Sequence, residues 1–453
     1  MNAGRGRIRT TASAGAGVGV RPRLIRAIGR WGLTAAVTNG VIGSGIFGLP
    51  SSLAGLTGTA SPVAILIAGA SIFVIVLCFA EVGSRFDDAG GPYLYTREAF
   101  GPAVGFQVGW LHIWTRLLSA AAVLNVFASY LSVLFPWVGT SPGRATAITL
   151  AIVLVTAVNV VGVRQAAGAV NAFTVAKLLP LVGLVVLGIF QIDRAVLDTQ
   201  QVANPRWTEA VLLLVFGFGG FESGVVAGSE SRDPGRDTAF ALISAMTAVT
   251  VLYVLVQIAV IGVLPHAAGS AAPIGAALGR LLGPAGITLG TIAVLLSVYG
   301  WLTGFALMSP RIIFSMAERG ELPLFMAHVN ERGRVPDLAI IVNSGIALAL
   351  GLAGDFGQLA TFAAIAKLGI YSTTCGALIV FRRRHGLPEG YRAPGGPALA
   401  ATGIVFCVWL LTTRSLAQAW FMPVMVAAGA AIWWATTRMR RGAADPVLRI
   451  PSS

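Results

Sequence analysis

Charged residues are scarce in this chain. Asp, Glu, Lys and Arg together make up 11% of its 453 residues, whereas about 25% is usual in a soluble globular protein. Hydrophobic residues make up 56%, so there is too little charge to cover a water-facing surface of this size. These proportions exclude a soluble enzyme and a disordered chain, and they predict a polytopic membrane protein.

Cysteine and histidine are also scarce. The three cysteines (Cys78, Cys375 and Cys407) lie within apolar runs, with neither the spacing of a metal site nor that of a disulfide framework. The four histidines are scattered along the chain, and no histidine, cysteine or carboxylate pair forms a recognisable catalytic set. The sequence therefore predicts no metal ion, no bound cofactor and no enzymatic activity.

Long apolar runs make up most of the remaining sequence. A transmembrane helix needs about 20 predominantly apolar residues, and twelve segments of roughly that length follow one another along the chain. They lie near residues 33–56, 61–83, 101–134, 145–163, 168–191, 208–229, 237–264, 285–315, 338–354, 358–381, 397–414 and 418–437. The sequence therefore predicts an all-α membrane protein with twelve transmembrane helices.

The net charge of +14 would ordinarily indicate a surface that binds nucleic acid. Its distribution indicates orientation instead, because arginines cluster in a flexible N-terminal tail (1–32), at Arg382–Arg384 and in the C-terminal tail (438–453). Cytoplasmic loops carry an excess of Lys and Arg, and an even number of spans leaves both termini on one side. We expect a multi-pass protein of the cell membrane with both termini in the cytoplasm, attracted to anionic lipids and not to nucleic acid.

A few charges nevertheless lie inside the apolar segments. The chain has only two lysines, Lys177 and Lys367, and each lies in the middle of such a segment, as do Arg116 and Glu222. A charge at the centre of a bilayer costs at least about 2.5–3.5 kcal/mol, so it usually marks an ion or substrate path. The alternative is a side chain that extends to the membrane surface, which suits Lys367 better than Lys177.

Glycine is clustered in two of the predicted helices. The first segment has four glycines and a proline between Asn39 and Pro50, and the sixth has three glycines between Phe216 and Glu222. Glycine and proline weaken a helix, and irregular backbone at membrane depth is tolerated only where it is buried in protein or lines a cavity. Close packing of two helices also uses glycine. Two interrupted helices at matching positions, however, are typical of a transporter binding site.

This pattern predicts a five-plus-five inverted repeat in which helices 1 and 6 are broken. The repeats would span 33–191 and 208–381, and 397–437 would add two further helices.

Each break offers groups that can bind a substrate. The backbone N–H groups of Gly43, Ser44 and Gly45 would lack helical partners and could bind a carboxylate. The carbonyl groups freed near Gly217–Gly220 could accept hydrogen bonds from an ammonium group. An anion site opposite a cation site is what a zwitterionic amino acid requires, so the expected partner is an amino acid.

Three motifs resemble those of the amino acid–polyamine–organocation permeases. They are Gly43-Ser44-Gly45-Ile46-Phe47 with Pro50, the stretch 90–101 that begins Gly-Gly-Pro-Tyr, and the stretch 216–237. The resemblance extends from about residue 33 to residue 437. It implies twelve helices in the inverted-repeat fold and transport of amino acids or polyamines by proton symport or exchange.

The resemblance also implies roles for individual residues. Ser44 and its flanking glycines would hold the substrate carboxylate, Phe216 would close over the substrate next to Gly217, Gly219 and Gly220, and Trp301 would line its path. Glu222 matches a position linked to proton sensitivity. Lys177 would occupy the place where sodium-coupled relatives bind a cation, contacting carbonyls near Gly40 and Val41, which favours a proton over sodium as the coupling ion.

One helix departs from the family pattern. Ala120 replaces an asparagine that contacts substrate in the arginine–agmatine antiporters, and Arg116 lies one turn before it. In the cavity, Arg116 would disfavour cationic substrates; alternatively, it would pair with Glu222 or anchor the helix. The sequence therefore favours proton-coupled symport of a neutral or small amino acid. An obligate exchanger is the main alternative, and a sensor that binds substrate without moving it is more remote.

Overall fold

The computed structural model describes residues 28–43, 45–86, 90–161, 166–330, 335–415, 418 and 420–444, with the side chains of 161, 166–176, 229 and 439–444 outside the description. Ser44 and most of the predicted N-terminal tail therefore lie outside the described residues. Within them the chain is predominantly helical, without an assigned β-strand.

The helices follow the predicted apolar segments closely. In chain order they are α1 (Arg30–Val41), α2 (Gly45–Thr57), α3 (Ser61–Gly83), α4 (Gly91–Phe100), α5 (Pro102–Leu134), α6 (Ser141–Val161), α7 (Ala166–Gly188), α8 (Arg194–Asp198), α9 (Trp207–Gly217), α10 (Phe221–Ala227), α11 (Pro234–Val263), α12 (Pro273–Leu282), α13 (Pro284–Glu318), α14 (Asp337–Ala353), α15 (Phe356–His385), α16 (Pro397–Thr412) and α17 (Phe421–Ala444).

Seven helical stretches of the described chain are long and apolar enough to cross a membrane. They are Gly45–Gly83, Pro102–Leu134, Ser141–Val160, Trp207–Ala227, Pro234–Val263, Pro284–Glu318 and Phe356–His385. Shorter apolar helices lie between and after them, including Asp337–Ala353 and Pro397–Thr412. The chain is thus a polytopic membrane protein, while the twelve-span inverted repeat remains a prediction.

Large apolar side chains are exposed on the outer helices. On α6, Leu150 is 63% exposed, and on α7 Leu179 is 67% exposed. Soluble monomers rarely expose large contiguous apolar patches, whereas the hydrocarbon of a bilayer is an apolar solvent for them.

The interrupted helices lie at the centre of the bundle. The pair α1–α2 contacts the pair α9–α10, and α3, α5, α11 and α15 pack around them, with α13 packed against α5. Glycine allows this close approach, because a Cβ added to Gly45 would lie 3.1 Å from the Cα of Gly217. A Cβ added to Gly220 would meet the carbonyl oxygen of Gly40. The two breaks are therefore in direct backbone contact.

A buried ion cluster ties α3 to the end of α15. The carboxylate of Glu81 accepts hydrogen bonds from Arg85 (3.0 Å), from Arg382 (2.9 and 2.5 Å) and from the backbone N–H of Ala393 (2.8 Å). The Glu81 side chain is fully buried. Glu81, which the sequence places at the end of an apolar segment, thus links α3 to α15 and to the residues that follow it.

Candidate substrate site

Both predicted helix breaks are present. Helix α1 ends at Val41 and α2 begins at Gly45, while α9 ends at Gly217 and α10 begins at Phe221. Gly220 has a φ of 116°, a conformation that only glycine adopts readily. The glycine clusters thus interrupt the helices where the sequence predicts.

A cavity lies between the two breaks. Its volume is about 50 Å³, well below the roughly 300–1,000 Å³ of a typical small-molecule site, so the cavity must widen to hold a substrate. It is lined by Gly40, Val41, Gly43, Gly45, His112, Thr115, Arg116, Ser119, Phe216, Gly217, Gly219, Gly220, Glu222, Ser223, Trp301 and Lys367. All the predicted substrate-binding residues are among them except Ser44, which lies outside the described residues.

The start of α2 provides an anion-binding end. Gly45 is the first residue of this 13-residue helix and lines the cavity. The first N–H groups of a helix have no intrahelical partner and carry the positive end of its dipole. A Cβ on neighbouring Gly43 would lie 3.0 Å from Nε1 of Trp301, so the indole packs directly against this break.

Some carbonyl groups at the second break already have protein partners. The hydroxyl of Tyr253 lies 3.1 Å from the carbonyl oxygen of Val41 and 3.0 Å from that of Gly217. The carbonyl of Phe216 accepts a 3.3 Å hydrogen bond from Nζ of Lys367. The carbonyls of Gly217 and Phe216, near the expected ammonium site, are therefore already hydrogen-bonded to side chains of the protein. The sequence did not predict these two contacts.

Lys177 lies at the first break. Its ammonium donates to the carbonyl oxygens of Asn39 at 2.5 Å and Ile42 at 2.8 Å, on either side of the predicted contact. The residue is only 6% exposed and does not line the cavity. It therefore acts on the end of α1 and does not contact a substrate in the cavity.

Glu222 is held at the second break. Its Oε2 accepts a 2.6 Å hydrogen bond from the N–H of Gly220, and its Oε1 accepts one from the hydroxyl of Tyr371 on α15. Tyr371 is fully buried. The sequence did not predict that Tyr371 donates to Glu222, because the two residues lie about 150 positions apart along the chain.

Arg116 faces the cavity. Its Cζ lies 5.8 Å from the centroid of the Trp301 ring, close enough for a cation–π interaction. Its Nε is buried and has no hydrogen-bond partner among the described residues. No ion pair within 4.0 Å links Arg116 to Glu222 in that part of the chain.

Lys367 also reaches the cavity. It is 7% exposed, and its Nζ lies 5.4 Å from the centroid of the Phe216 ring. A Cβ on Gly219 would collide with the same ammonium. The side chain thus points into the bundle and does not extend to the membrane surface.

Residues 28–439, which include both breaks and every cavity residue named above, match the family of amino acid permeases. The chain belongs to this family. Its resemblance to the amino acid–polyamine–organocation permeases is thereby confirmed.

Three proteins of Bacillus subtilis are similar to the chain over most of their length. The serine/threonine exchanger SteT is 26% identical over 385 residues, which cover 81% of this chain and 86% of SteT. A putative arginine/ornithine antiporter is 28% identical over 70% of this chain and 74% of its own. The branched-chain amino acid permease BcaP is 26% identical over 86% of this chain and 88% of its own.

Proposed function

We propose that this permease is a secondary active transporter that moves an amino acid across the cytoplasmic membrane together with a proton. The observation that carries the proposal is the cavity between two helix breaks, with the start of α2 on one side and Glu222 on the other. The helix start suits a carboxylate, and the acidic side chain suits an ammonium group. An amino acid presents both.

The role proposed for Lys177 is proton coupling. Its ammonium holds the carbonyls of Asn39 and Ile42 at the end of α1. Loss of the proton would remove the charge that binds these carbonyls and would free the break to change shape. A lysine in this place also leaves no need for sodium, because its own charge already occupies the carbonyls.

Alternating access would follow from the predicted five-plus-five repeat, in which the two broken helices lie at the repeat interface. With arginine-rich segments at both ends of the chain, the termini are proposed to face the cytoplasm. Because Arg116 lines the cavity, the transported amino acid should not be cationic. On this single charge, the sequence favours a neutral or small substrate.

Obligate exchange is the second candidate. It is favoured by the relatives, since SteT is an exchanger and another relative is a putative antiporter. An exchanger would use the same cavity but would return to its starting orientation only with substrate bound.

Uptake by purified permease in proteoliposomes separates these possibilities. We expect accumulation of amino acid in empty vesicles when the outside is made acidic, and no response to sodium. Uptake only into vesicles preloaded with amino acid would establish exchange, and binding without any transport would indicate a sensor. Transport that ignores an imposed pH gradient would contradict proton coupling.

A further inference from the structure

The cavity holds more positive than negative charge. Arg116 and Lys367 line it, whereas Glu222 is the only carboxylate among its lining residues. His112 is the remaining titratable group there. With His112 neutral, Lys367 protonated and Glu222 ionised, the charges sum to one positive charge.

Among the described residues, the two cations of the cavity have no counter-ion within 4.0 Å. Glu222 accepts hydrogen bonds from the N–H of Gly220 and from Tyr371. Lys367 has the carbonyl of Phe216 as an acceptor, while the buried Nε of Arg116 has none.

Uncompensated charge at membrane depth is costly. A buried ion is stable only when it is paired or hydrogen-bonded, and Arg116, which lines the cavity, has a buried Nε without an acceptor among the described residues. Guanidinium groups bind carboxylates through parallel hydrogen bonds. An anionic group of a ligand in the cavity would supply such an acceptor and would offset the surplus positive charge.

We propose that the substrate is an amino acid with a net negative charge, carrying a second carboxylate on its side chain. The proposal rests on the proposed transport function and replaces the preference for a neutral substrate. The α-carboxylate would bind the start of α2, and the ammonium would face Glu222. The side-chain carboxylate would bind Arg116, with Lys367 adding a second positive charge.

The total charge supports this assignment. A zwitterionic amino acid has no net charge and would leave the closed cavity with its surplus positive charge. An acidic amino acid carries one negative charge and makes the loaded cavity neutral. Neutralising the cavity lowers the cost of holding its charges in the low-dielectric centre of the membrane.

Binding measurements with matched substrates test the proposal. Purified wild-type permease would be titrated with L-aspartate against L-asparagine, and with L-glutamate against L-glutamine, using ligand-induced thermal shifts. Each pair has almost the same shape and differs in charge. We expect each acid to bind at least about tenfold more tightly than its amide, which corresponds to about 1.4 kcal/mol.

Two variants connect this preference to the named side chains. In Arg116→Met the acid should lose most of its advantage, while binding of the amide confirms that the variant is folded. In Lys367→Met, we expect a smaller loss of the preference for the acid over its amide. This variant still tests the proposal if Arg116→Met does not fold. An unchanged preference for the acid in both folded variants would overturn the assignment.

Other outcomes separate this proposal from the broader one. If the amides bind as tightly as the acids, the charge assignment is wrong and amino acid transport stands. If chloride, compared with gluconate, strengthens binding of the amides to the level of the acids, an inorganic anion supplies the missing charge and the proposal is again overturned. If no member of an amino acid panel binds, the proposed function itself fails.

Discussion

Lys177 and Lys367 make the same kind of contact at the two helix breaks. Nζ of Lys177 donates to the carbonyls of Asn39 and Ile42 at the end of α1. Nζ of Lys367 donates to the carbonyl of Phe216 near the end of α9. Each lysine thus places its ammonium at the negative end of a helix dipole. These are the only two lysines in the chain, and they differ in that Lys367 alone reaches the cavity.

Replacing Lys177 should remove the response to protons. In Lys177→Ala, we expect transport in proteoliposomes to lose its dependence on pH or to stop, with expression retained, because no titratable group then contacts the break. Lys177→Arg is the matched control, since it keeps positively charged donors that stay protonated. It should bind substrate yet transport it without the wild-type pH profile. A wild-type profile in either variant would refute the proton role of Lys177.

Adding a methyl group at Gly219 should block the site. In Gly219→Ala, the new Cβ collides with Nζ of Lys367, so the ammonium must move from its place beside the carbonyl of Phe216. We expect at least a tenfold loss of substrate affinity in thermal-shift titrations. Gly304→Ala is the matched control on α13, because a Cβ there meets nothing within 4 Å. Equal affinities of the two variants would show that the Gly219 position is more tolerant than its geometry implies.

The hydroxyl of Tyr253 should stabilise the contact between the breaks. Tyr253→Phe removes a group that lies between the carbonyls of Val41 and Gly217 and leaves the ring in place. A hydrogen bond contributes about 0.5–1.5 kcal/mol, and a buried acceptor left without a partner adds a cost. We therefore expect a lower melting temperature for the purified variant in detergent. An unchanged melting temperature would mean that another group takes over both carbonyls.

The buried ion cluster should matter more to stability than an exposed ion pair. Glu81→Gln removes the charge that holds Arg85 and Arg382 and should lower the free energy of unfolding by about 3–5 kcal/mol. Glu209→Gln is the control, because Glu209 pairs with Arg206 at an exposed site at 3.2 Å and such pairs contribute about 0–1 kcal/mol. Thermal or denaturant unfolding in detergent measures the loss of stability in each of the two variants. Similar losses in the two variants would contradict the anchoring role of Glu81.

The breaks and most of the cavity lining could be predicted from sequence because their cause is local. Glycine weakens a helix wherever it lies, so the clusters at 40–48 and 217–220 locate both interruptions without knowledge of their neighbours. The direction of a side chain on a long apolar helix has no such local signal. Lys367 could equally extend to the membrane surface on sequence alone, and only the packing of α15 against α9 directs it to Phe216.

Contacts between distant segments were also beyond the sequence. On sequence alone, Glu81 is an ordinary residue at a helix end, and only the fold brings Arg382 and Ala393, some 300 residues later, to it. Tyr253 and Tyr371 lie in long, mostly apolar helices, and only the fold shows which carbonyl and carboxylate groups their hydroxyl groups contact.

The meeting of Gly45 with Gly217 has a mechanical consequence. The two main chains approach closely at this point, with Leu49 and Phe216 packed beside them, so there is little free space to absorb a displacement. A shift of one interrupted helix should therefore displace the other as well. A movement that begins at the first break should therefore also displace the cavity wall that Glu222 and Lys367 form.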